Sequence, residues 1–254
     1  MERKIDLRKI VASMLFLVLA LALAGCGDSK ETISQSTPTA KNAEQSTQQA
    51  EKEQNASLEI IDSGSTVWVD SIDTVWVNSA AVYKNTGDVA VEIGETQMNF
   101  KAKDESVIGT SSMIYAVPRV VQPGETAIIG EGAILDGETT TDNFLETTYN
   151  FNFEPTDADS NVMEVSNVKG IQGEYDYSVT GMVKNVTDVQ QEDVRIAAVL
   201  YDDANKIIGA FTGSVDVGLA PNGEAGFELS YPSLPEDIGK KVKKIEVKSY
   251  GFTW

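Results

Sequence analysis

The 254-residue sequence predicts an all-β protein that contains two tandem antiparallel β-sandwiches. Three observations carry this prediction. Apolar and polar residues alternate over many short segments, as they do in half-buried strands. Turn-forming residues separate these segments at intervals of about ten residues, which is typical of sandwiches. One long segment recurs 100 residues further along the chain.

The first 25 residues contain basic residues, an apolar run and then small residues. Basic residues end at Lys9, the apolar run "IVASMLFLVLALA" follows, and "LAGC" closes it. The run is shorter than the roughly 20 apolar residues of a membrane-spanning helix, and small residues follow it, as they do before a cleavage site. Leu23, Ala24, Gly25 and Cys26 resemble the lipobox of bacterial lipoprotein signal peptides. The resemblance implies that the signal peptide is cleaved before Cys26, which receives a diacylglycerol.

Cys26 is the only cysteine of the chain, so it has no partner for a disulfide bond. As a diacylglyceryl cysteine with palmitate-like chains it would need none, because each buried methylene adds about 0.8 kcal/mol of membrane affinity. A buried cysteine on an N-terminal helix is the alternative interpretation. The lipobox predicts a lipid-anchored protein on the extracytoplasmic face of the cell membrane. Whether the envelope is Gram-positive or Gram-negative stays open.

Residues 26–57 predict a flexible linker behind the lipidated cysteine. They are rich in Ser, Thr, Gln, Lys, Glu, Asn and Ala and contain no aromatic residue. Such a composition cannot bury enough apolar surface to offset the entropy lost on folding. About thirty residues of this kind have an r.m.s. span of roughly 30 Å. We therefore expect the folded part of the chain to begin near residue 58.

An internal repeat divides the remaining sequence. Residues 83–109 and 183–209 align without a gap, and seven identities fall in register. The identical pairs are Lys84 and Lys184, Asn85 and Asn185, Asp88 and Asp188, Val89 and Val189, Glu92 and Glu192, Ile108 and Ile208, and Gly109 and Gly209. A repeat of this length indicates one duplicated domain. The sequence thus predicts a β-sandwich over 58–156 and a second one over 157–254.

Each copy contains strands with one apolar face. The expected inward residues of an early strand are Val75, Val77, Ser79, Ala81 and Tyr83 in the first copy and Tyr175, Tyr177, Val179, Gly181 and Val183 in the second. The expected inward residues of the next strand are Thr96, Met98 and Phe100 in the first copy and Ile196, Ala198 and Leu200 in the second. The alternation predicts that the opposite faces meet solvent. Asp88 and Asp188 follow the early strand, and we expect their carboxylates to bind backbone N–H groups of the turn.

The second copy resembles a known family. Residues 160–254 resemble the FxLyD domain, an immunoglobulin-like β-sandwich of bacterial surface lipoproteins; a telokin-like domain is a related alternative. The signature's Leu-Tyr-Asp is matched by Leu200, Tyr201 and Asp202, while Ala198 replaces its Phe. In the first copy the positions equivalent to Leu-Tyr-Asp are occupied by Phe100, Lys101 and Ala102. The resemblance implies two immunoglobulin-like domains. It brings no catalytic residue with it.

Composition excludes several functions. The net charge is −19, so the surface repels nucleic acid and we expect no nucleic-acid partner. The chain has no histidine, the commonest general base and transition-metal ligand. Asp157, Asp159 and Asn161 have the alternate spacing of a calcium loop, but Val162 and Val168 replace the Gly and Glu that such a loop requires. We expect no catalytic residue, no metal and no cofactor.

Two tryptophans form the sharpest candidate for a ligand site. Trp68 and Trp76 each lie between two valines in "VWVDSIDTVWV", which predicts a hairpin. The valines supply an inward face, so both indole rings could face outward, where paired aromatic side chains stack sugars in carbohydrate-binding modules. The alternative is that the tryptophans pack against the second domain or cover a sheet edge.

The sequence as a whole predicts a membrane-anchored extracytoplasmic lipoprotein that presents non-catalytic binding domains to an unknown protein or glycan. A carbohydrate-binding or cell-wall-binding module that uses Trp68 and Trp76 is the alternative prediction. A hydrolase is a more distant one, because no motif supplies an activated nucleophile.

Overall fold

The alternating segments form strands throughout residues 55–253, the part of the chain that this computed structural model describes. Leu23, Ala24, Gly25 and Cys26, together with the predicted signal peptide and nearly all of the predicted linker, lie outside the described residues. No helix in the described part is long and apolar enough to cross a membrane. The prediction of an all-β fold is confirmed.

Fifteen strands pair in antiparallel fashion in the described part. Those of the first copy are β1 (Leu58–Val69), β2 (Val75–Asn85), β3 (Val91–Ile93), β4 (Thr96–Ala102), β5 (Val107–Ile114), β6 (Val120–Val121), β7 (Thr126–Ile134), β8 (Phe144–Asn150) and β9 (Phe153–Pro155). Those of the second copy are β10 (Glu164–Gln172), β11 (Tyr177–Lys184), β12 (Asp193–Tyr201), β13 (Ile207–Val215), β14 (Glu224–Leu229) and β15 (Lys244–Phe252). A 3-10 helix, Ile238–Lys240, precedes β15.

The two copies have the same sheet topology. The first copy contains the sheets β1-β2-β7 and β5-β4-β8, and the second contains β10-β11-β14 and β13-β12-β15 in the matching positions. A small sheet, β6-β3-β9, joins Val91 to Val121 in the first copy. A single bridge between Gln191 and Leu219 takes its place in the second. Each copy is therefore a sandwich of two antiparallel sheets.

Each sandwich has its own apolar core. In the first, the predicted residues Val77, Ala81, Tyr83, Met98 and Phe100 are completely buried, together with strand residues such as Ile93 and Ile129. In the second, Val179, Val183, Ile196, Ala198 and Leu200 are completely buried. Burial of each large aliphatic or aromatic side chain contributes about 1.5–3 kcal/mol, so these residues stabilise the sandwiches. Tyr175 is an exception, because it precedes β11 and is 71% exposed.

A third apolar cluster lies between the two sandwiches. It buries Ala80, Val82, Val117, Ile128, Ala197, Val199, Tyr201, Ile207 and Ala210. The prediction that the second faces of β2 and β12 meet solvent is therefore wrong: sheet β1-β2-β7 packs face to face on sheet β13-β12-β15. The four larger sheets stack in the order β5-β4-β8, β1-β2-β7, β13-β12-β15 and β10-β11-β14. The described residues form one compact unit.

Small residues and one buried amide fix this interface. A Cβ atom at Gly130 would overlap the Cβ of Ala210, and one at Gly64 would overlap the carbonyl oxygen of Ile207. Asn78 is completely buried, and its Nδ2 donates to the carbonyl oxygen of Ala210 at 3.1 Å. Its Oδ1 accepts from the Ala210 backbone N–H at 3.0 Å. These bonds satisfy an amide that would otherwise be costly to bury, and they set the register of the two sheets.

The repeat also places a buried asparagine at the end of the early strand in both copies. Asn85 Nδ2 donates to the carbonyl oxygens of Val89 and Val121, both at 2.8 Å, while Oδ1 accepts from the Gly87 N–H at 2.9 Å. The side chain is completely buried. One amide thereby makes hydrogen bonds to three backbone groups at the end of β2.

Asn185 repeats the arrangement. Its Nδ2 donates to the carbonyl oxygens of Val189 and Leu219, both at 2.8 Å, and its Oδ1 accepts from the Thr187 N–H at 2.9 Å. The bonds to the turn that we predicted for the carboxylates of Asp88 and Asp188 are thus made by the asparagines. Asp88 instead accepts from the distant Asn55 N–H at 2.9 Å, and Asp188 is exposed.

Candidate functional site

The candidate site begins at the hairpin of β1 and β2. Trp68 and Trp76 are register partners on these two strands, so their side chains lie on the same face of the sheet. The ring centroids are 6.3 Å apart and the ring planes differ by 15°. Cross-strand aromatic pairs of this kind stabilise a hairpin and leave ring faces available for contacts. The predicted hairpin and the proximity of the tryptophans are confirmed.

Asp70 shapes the turn that joins the two strands. Its Oδ1 accepts from the backbone N–H groups of Ile72 and Thr74, both at 2.9 Å. Its Oδ2 accepts from the indole Nε1–H of Trp76 at 2.8 Å. The hydrogen bonds from Thr74, Trp76 and Ile72 lower the pKa of the Asp70 carboxyl below its usual value, because they favour the charged form. The carboxylate therefore orients the Trp76 ring.

The tryptophans lie on the face of the sheet that packs on the second sandwich. Trp76 lies on the same face of β2 as Asn78, Ala80 and Val82, and these three residues contact that sandwich. The hairpin extends beyond the interface between the two sandwiches, which are separated from each other at this point. Trp68 and Trp76 are consequently half-buried and line a cleft. The rings therefore neighbour the second sandwich and border open space, and their contact with a ligand stays a prediction.

This cleft, which we call the tryptophan cleft, has a volume of about 640 Å³. Its first wall consists of Trp68, Val69, Asp70, Ser71 and Trp76, and its second wall consists of Ser233, Leu234, Pro235, Glu236 and Asp237. Small-molecule sites in proteins have volumes of roughly 300–1,000 Å³. The tryptophan cleft is therefore large enough to hold a small ligand or part of a polymer.

Hydrogen bonds hold the second wall in place. The Nδ2 of Asn78, in the first sandwich, donates to the carbonyl oxygen of Ser233 at 3.3 Å. The Nε2 of Gln172, at the turn between β10 and β11, donates to the carbonyl oxygen of Glu236 at 2.8 Å, and its Oε1 accepts from the Gly239 N–H at 3.2 Å. Both walls are fixed before a ligand arrives, so binding would need little ordering of the protein.

The charge of the tryptophan cleft is negative. Asp70, Glu236 and Asp237 line it, and the described lining residues include no lysine or arginine. Opposite charges a few ångströms apart attract more strongly near a protein surface than in bulk water. The cleft therefore favours a cationic or neutral ligand over an anionic one.

The other sequence candidates lie elsewhere. Asp157 and Asp159 belong to the connection between β9 and β10 and line a separate cavity of about 420 Å³. Asn161 accepts from the Gly251 N–H at 2.9 Å through its backbone carbonyl. Asp202 closes the turn between β12 and β13, where its Oδ1 accepts from the N–H groups of Ala204 and Lys206 at 2.9 and 2.8 Å. The structure brings none of these residues to the tryptophan cleft.

Sequence reasoning missed the second wall. The segment "SLPED" begins at Ser233, far from Trp76 along the chain, and its composition resembles that of any turn. Only the stacking of the two sandwiches brings it to the hairpin. The signal that could have revealed this stacking is the uninterrupted apolar character of "SAAVY" and "IAAVLY", which is typical of strands buried on both faces.

No protein-family model matches the chain, and no curated protein matches it either. The resemblance to the FxLyD domain accordingly stays a prediction.

Proposed function

We propose that this chain is an extracytoplasmic lipoprotein, held at the cell membrane by a lipidated Cys26, that binds a ligand in the tryptophan cleft without catalysing a reaction. The lipobox formed by Leu23, Ala24, Gly25 and Cys26 supports the anchor. The observation that carries the binding function is the cleft itself, whose two walls come from different sandwiches and include a stacked tryptophan pair.

The chemistry of the cleft supports binding over catalysis. Its polar side chains are those of Ser71, Ser233, Asp70, Glu236 and Asp237, and the chain has no histidine that could activate a serine. Asp70 is held as a carboxylate by three hydrogen bonds, so it is poorly suited to donate a proton near neutral pH. Cys26, the only thiol, is modified in this proposal.

The binding function is tested with the full chain in detergent micelles on an array that carries both glycans and peptides. We expect binding to one class of compound, and we expect Trp68→Ala to weaken it about tenfold, which corresponds to about 1.4 kcal/mol and is of the size of an aromatic contact. Tyr115→Ala is the matched control, because Tyr115 is an aromatic residue, 47% exposed, outside the cleft. Binding that both variants retain would contradict the assignment of the cleft.

The anchor is tested separately by metabolic labelling with a fatty acid that carries a detectable tag. We expect the natural chain to be labelled and Cys26→Ser to remain unlabelled and uncleaved, because the diacylglycerol is attached through the thiol. Ser29→Ala is the control, since it changes a nearby polar residue and keeps the lipobox. Equal labelling of Cys26→Ser and the natural chain would refute the lipid anchor.

A further inference from the structure

We infer that the tryptophan cleft recognises a glucosamine-type polysaccharide whose amino groups are free and carry a positive charge when they are protonated. This inference rests on the proposed binding function and names its ligand class. Two features of the cleft carry it, the aromatic pair and the carboxylates opposite the pair.

The aromatic pair supplies a surface for both a sugar ring and a cation. Trp68 and Trp76 line the cleft with near-parallel rings, and the hydrogen bond from Trp76 Nε1 to Asp70 fixes one of them. The face of an indole ring carries partial negative charge, so it attracts ammonium groups and polarised C–H groups. A glucosamine unit presents both of these, an apolar C–H face and an ammonium group fixed on the same ring.

The carboxylates select the charge of the sugar. Glu236 and Asp237 extend the negative charge of the cleft beyond Asp70, and the whole chain has a net charge of −19. Polysaccharides with phosphate, sulfate or uronic acid groups are repelled by such a site. An N-acetylated sugar is neutral and gains only the aromatic contacts. A free amino sugar gains the aromatic contacts and the charge interaction together.

The rigidity of the cleft favours a sugar over a basic peptide. Both walls are held by hydrogen bonds: Asp70 accepts from the Thr74 N–H in the first wall, and the side-chain amides of Asn78 and Gln172 donate to carbonyl oxygens of the second. A lysine side chain loses the freedom of a long flexible stem when its ammonium group is held in a rigid site. In glucosamine the ring already fixes the ammonium group, so less conformational entropy is lost on binding.

The test measures tryptophan fluorescence and heat of binding for the full chain in detergent micelles at mildly acidic pH, where the amino groups of glucosamine are protonated and Asp and Glu side chains remain ionised. The probes are a pentamer of glucosamine, the fully N-acetylated pentamer of the same backbone, and pentalysine. We expect the glucosamine pentamer to bind about tenfold more tightly than either other probe. We also expect its affinity to fall as salt is added, because the charge interaction is screened.

Two variants assign the effect to the cleft. We expect Trp68→Ala to weaken binding of the glucosamine pentamer about tenfold, and Glu236→Gln to weaken it about threefold and to reduce the salt dependence. Glu59→Gln is the control for charge, since it removes an exposed carboxylate at the other end of β1. Circular dichroism checks that each variant is folded.

Three outcomes would overturn the inference. The first is equal affinity for the two pentamers, and the second is equal affinity for pentalysine with the same loss in Trp68→Ala. The third is no binding of the glucosamine pentamer. If the array then finds another ligand whose binding depends on Trp68, the proposed binding function stands and only the ligand class is wrong.

Discussion

The two copies use the same hairpin for different purposes. At the hairpin of β1 and β2, the first copy places Trp68, Trp76 and the Asp70 carboxylate that orients the Trp76 ring. At the matching turn between β10 and β11, the second copy places Gln172, whose amide holds the backbone of Glu236 and Gly239. One hairpin thus forms the first wall of the tryptophan cleft, and the other holds the second wall.

What the copies share, by contrast, serves the fold. Asn85 and Asn185 make the same three hydrogen bonds in the same buried turn. Gly124 and Asn222 donate from left-handed backbone to the carbonyl oxygens of Asn85 and Asn185, with φ of 82° and 64°. Such positions favour Gly and tolerate Asn. The comparison teaches that the buried asparagine shared by the copies serves the fold, while the site lies where the copies differ.

The largest expected effect concerns a shared residue. Asn185→Ala removes three hydrogen bonds of a buried amide, although the Val189 and Leu219 carbonyl oxygens keep the bonds that they accept from Thr187 Oγ1 and the Gln191 N–H. At about 1 kcal/mol for each bond lost, we expect the free energy of unfolding to fall by about 3 kcal/mol. For about 200 folded residues this lowers the melting temperature by roughly 6–12 °C, measured by calorimetry. Asp188→Ala is the control and should change the melting temperature little, because the side chain is exposed. Equal losses of stability in the two variants would contradict a structural role for Asn185 that Asp188 lacks.

The second prediction tests the interface between the copies. Gly130→Ala places a Cβ atom against that of Ala210, and neither atom can rotate away, so the sheets must move apart. We expect a loss of about 1–3 kcal/mol in chemical denaturation, the usual cost of overpacking. Gly226→Ala is the control, since a Cβ atom there meets only ordinary contacts at 3.9 Å. A variant at Gly130 as stable as the control would mean that the sandwiches are docked loosely.

The third prediction concerns Asp70, which belongs to the first hairpin alone. Its pKa is lower in the folded state, chiefly through the bonds from Thr74 and Trp76. The stabilisation is therefore present above the unfolded pKa of about 3.9 and is lost as pH falls through the lower folded pKa. We expect Asp70→Asn to be less stable than the natural chain at pH 7 and equally stable at strongly acidic pH. Denaturation across this range measures the difference, with the exposed Asp203→Asn as control.

The smallest effect at neutral pH is expected for Tyr83, whose place in the second copy is taken by Val183. Burial raises the pKa of Tyr83 to about 12. A raised folded pKa stabilises the protein below the unfolded pKa of about 10, and this contribution is lost as pH rises through 12. We expect Tyr83→Phe to reduce the fall in stability between pH 10 and 12. An unchanged alkaline profile would show that Tyr83 is not the residue that titrates.

Local rules predicted the strands because alternation is a local property. The inward positions of β2 and β4, such as Val77, Tyr83 and Phe100, followed from the period of two. Ala80 and Ala197 are small, so alternation alone assigned them to solvent, although both are completely buried between the sandwiches. The uninterrupted apolar stretches around Ala80 and Ala197 indicate burial on both faces, but they do not specify which two sheets pack together.

The local part of the site could likewise be predicted from the sequence, whereas the part formed by distant residues could not. The hairpin with Trp68 and Trp76 follows from its flanking valines and from turn-forming residues such as Asp70. The second wall depends on contacts between residues more than 150 positions apart, as in the bond from Asn78 to Ser233. Such contacts are a consequence of the tertiary fold, and a single sequence carries no direct signal for them.

The length of β1 has a consequence for presentation at a surface. The folded chain begins where the carbonyl oxygen of Ser57 accepts from the Thr86 N–H at 2.9 Å, at one end of β1, and Trp68 lies at the other end. Ten residues of strand at roughly 3.3 Å each separate Leu58 from Trp68 by roughly 33 Å. If the proposed lipid anchor holds the chain through its N-terminus, the chain enters the fold roughly 33 Å from Trp68, so the point of entry and the tryptophan cleft are separated by the length of β1.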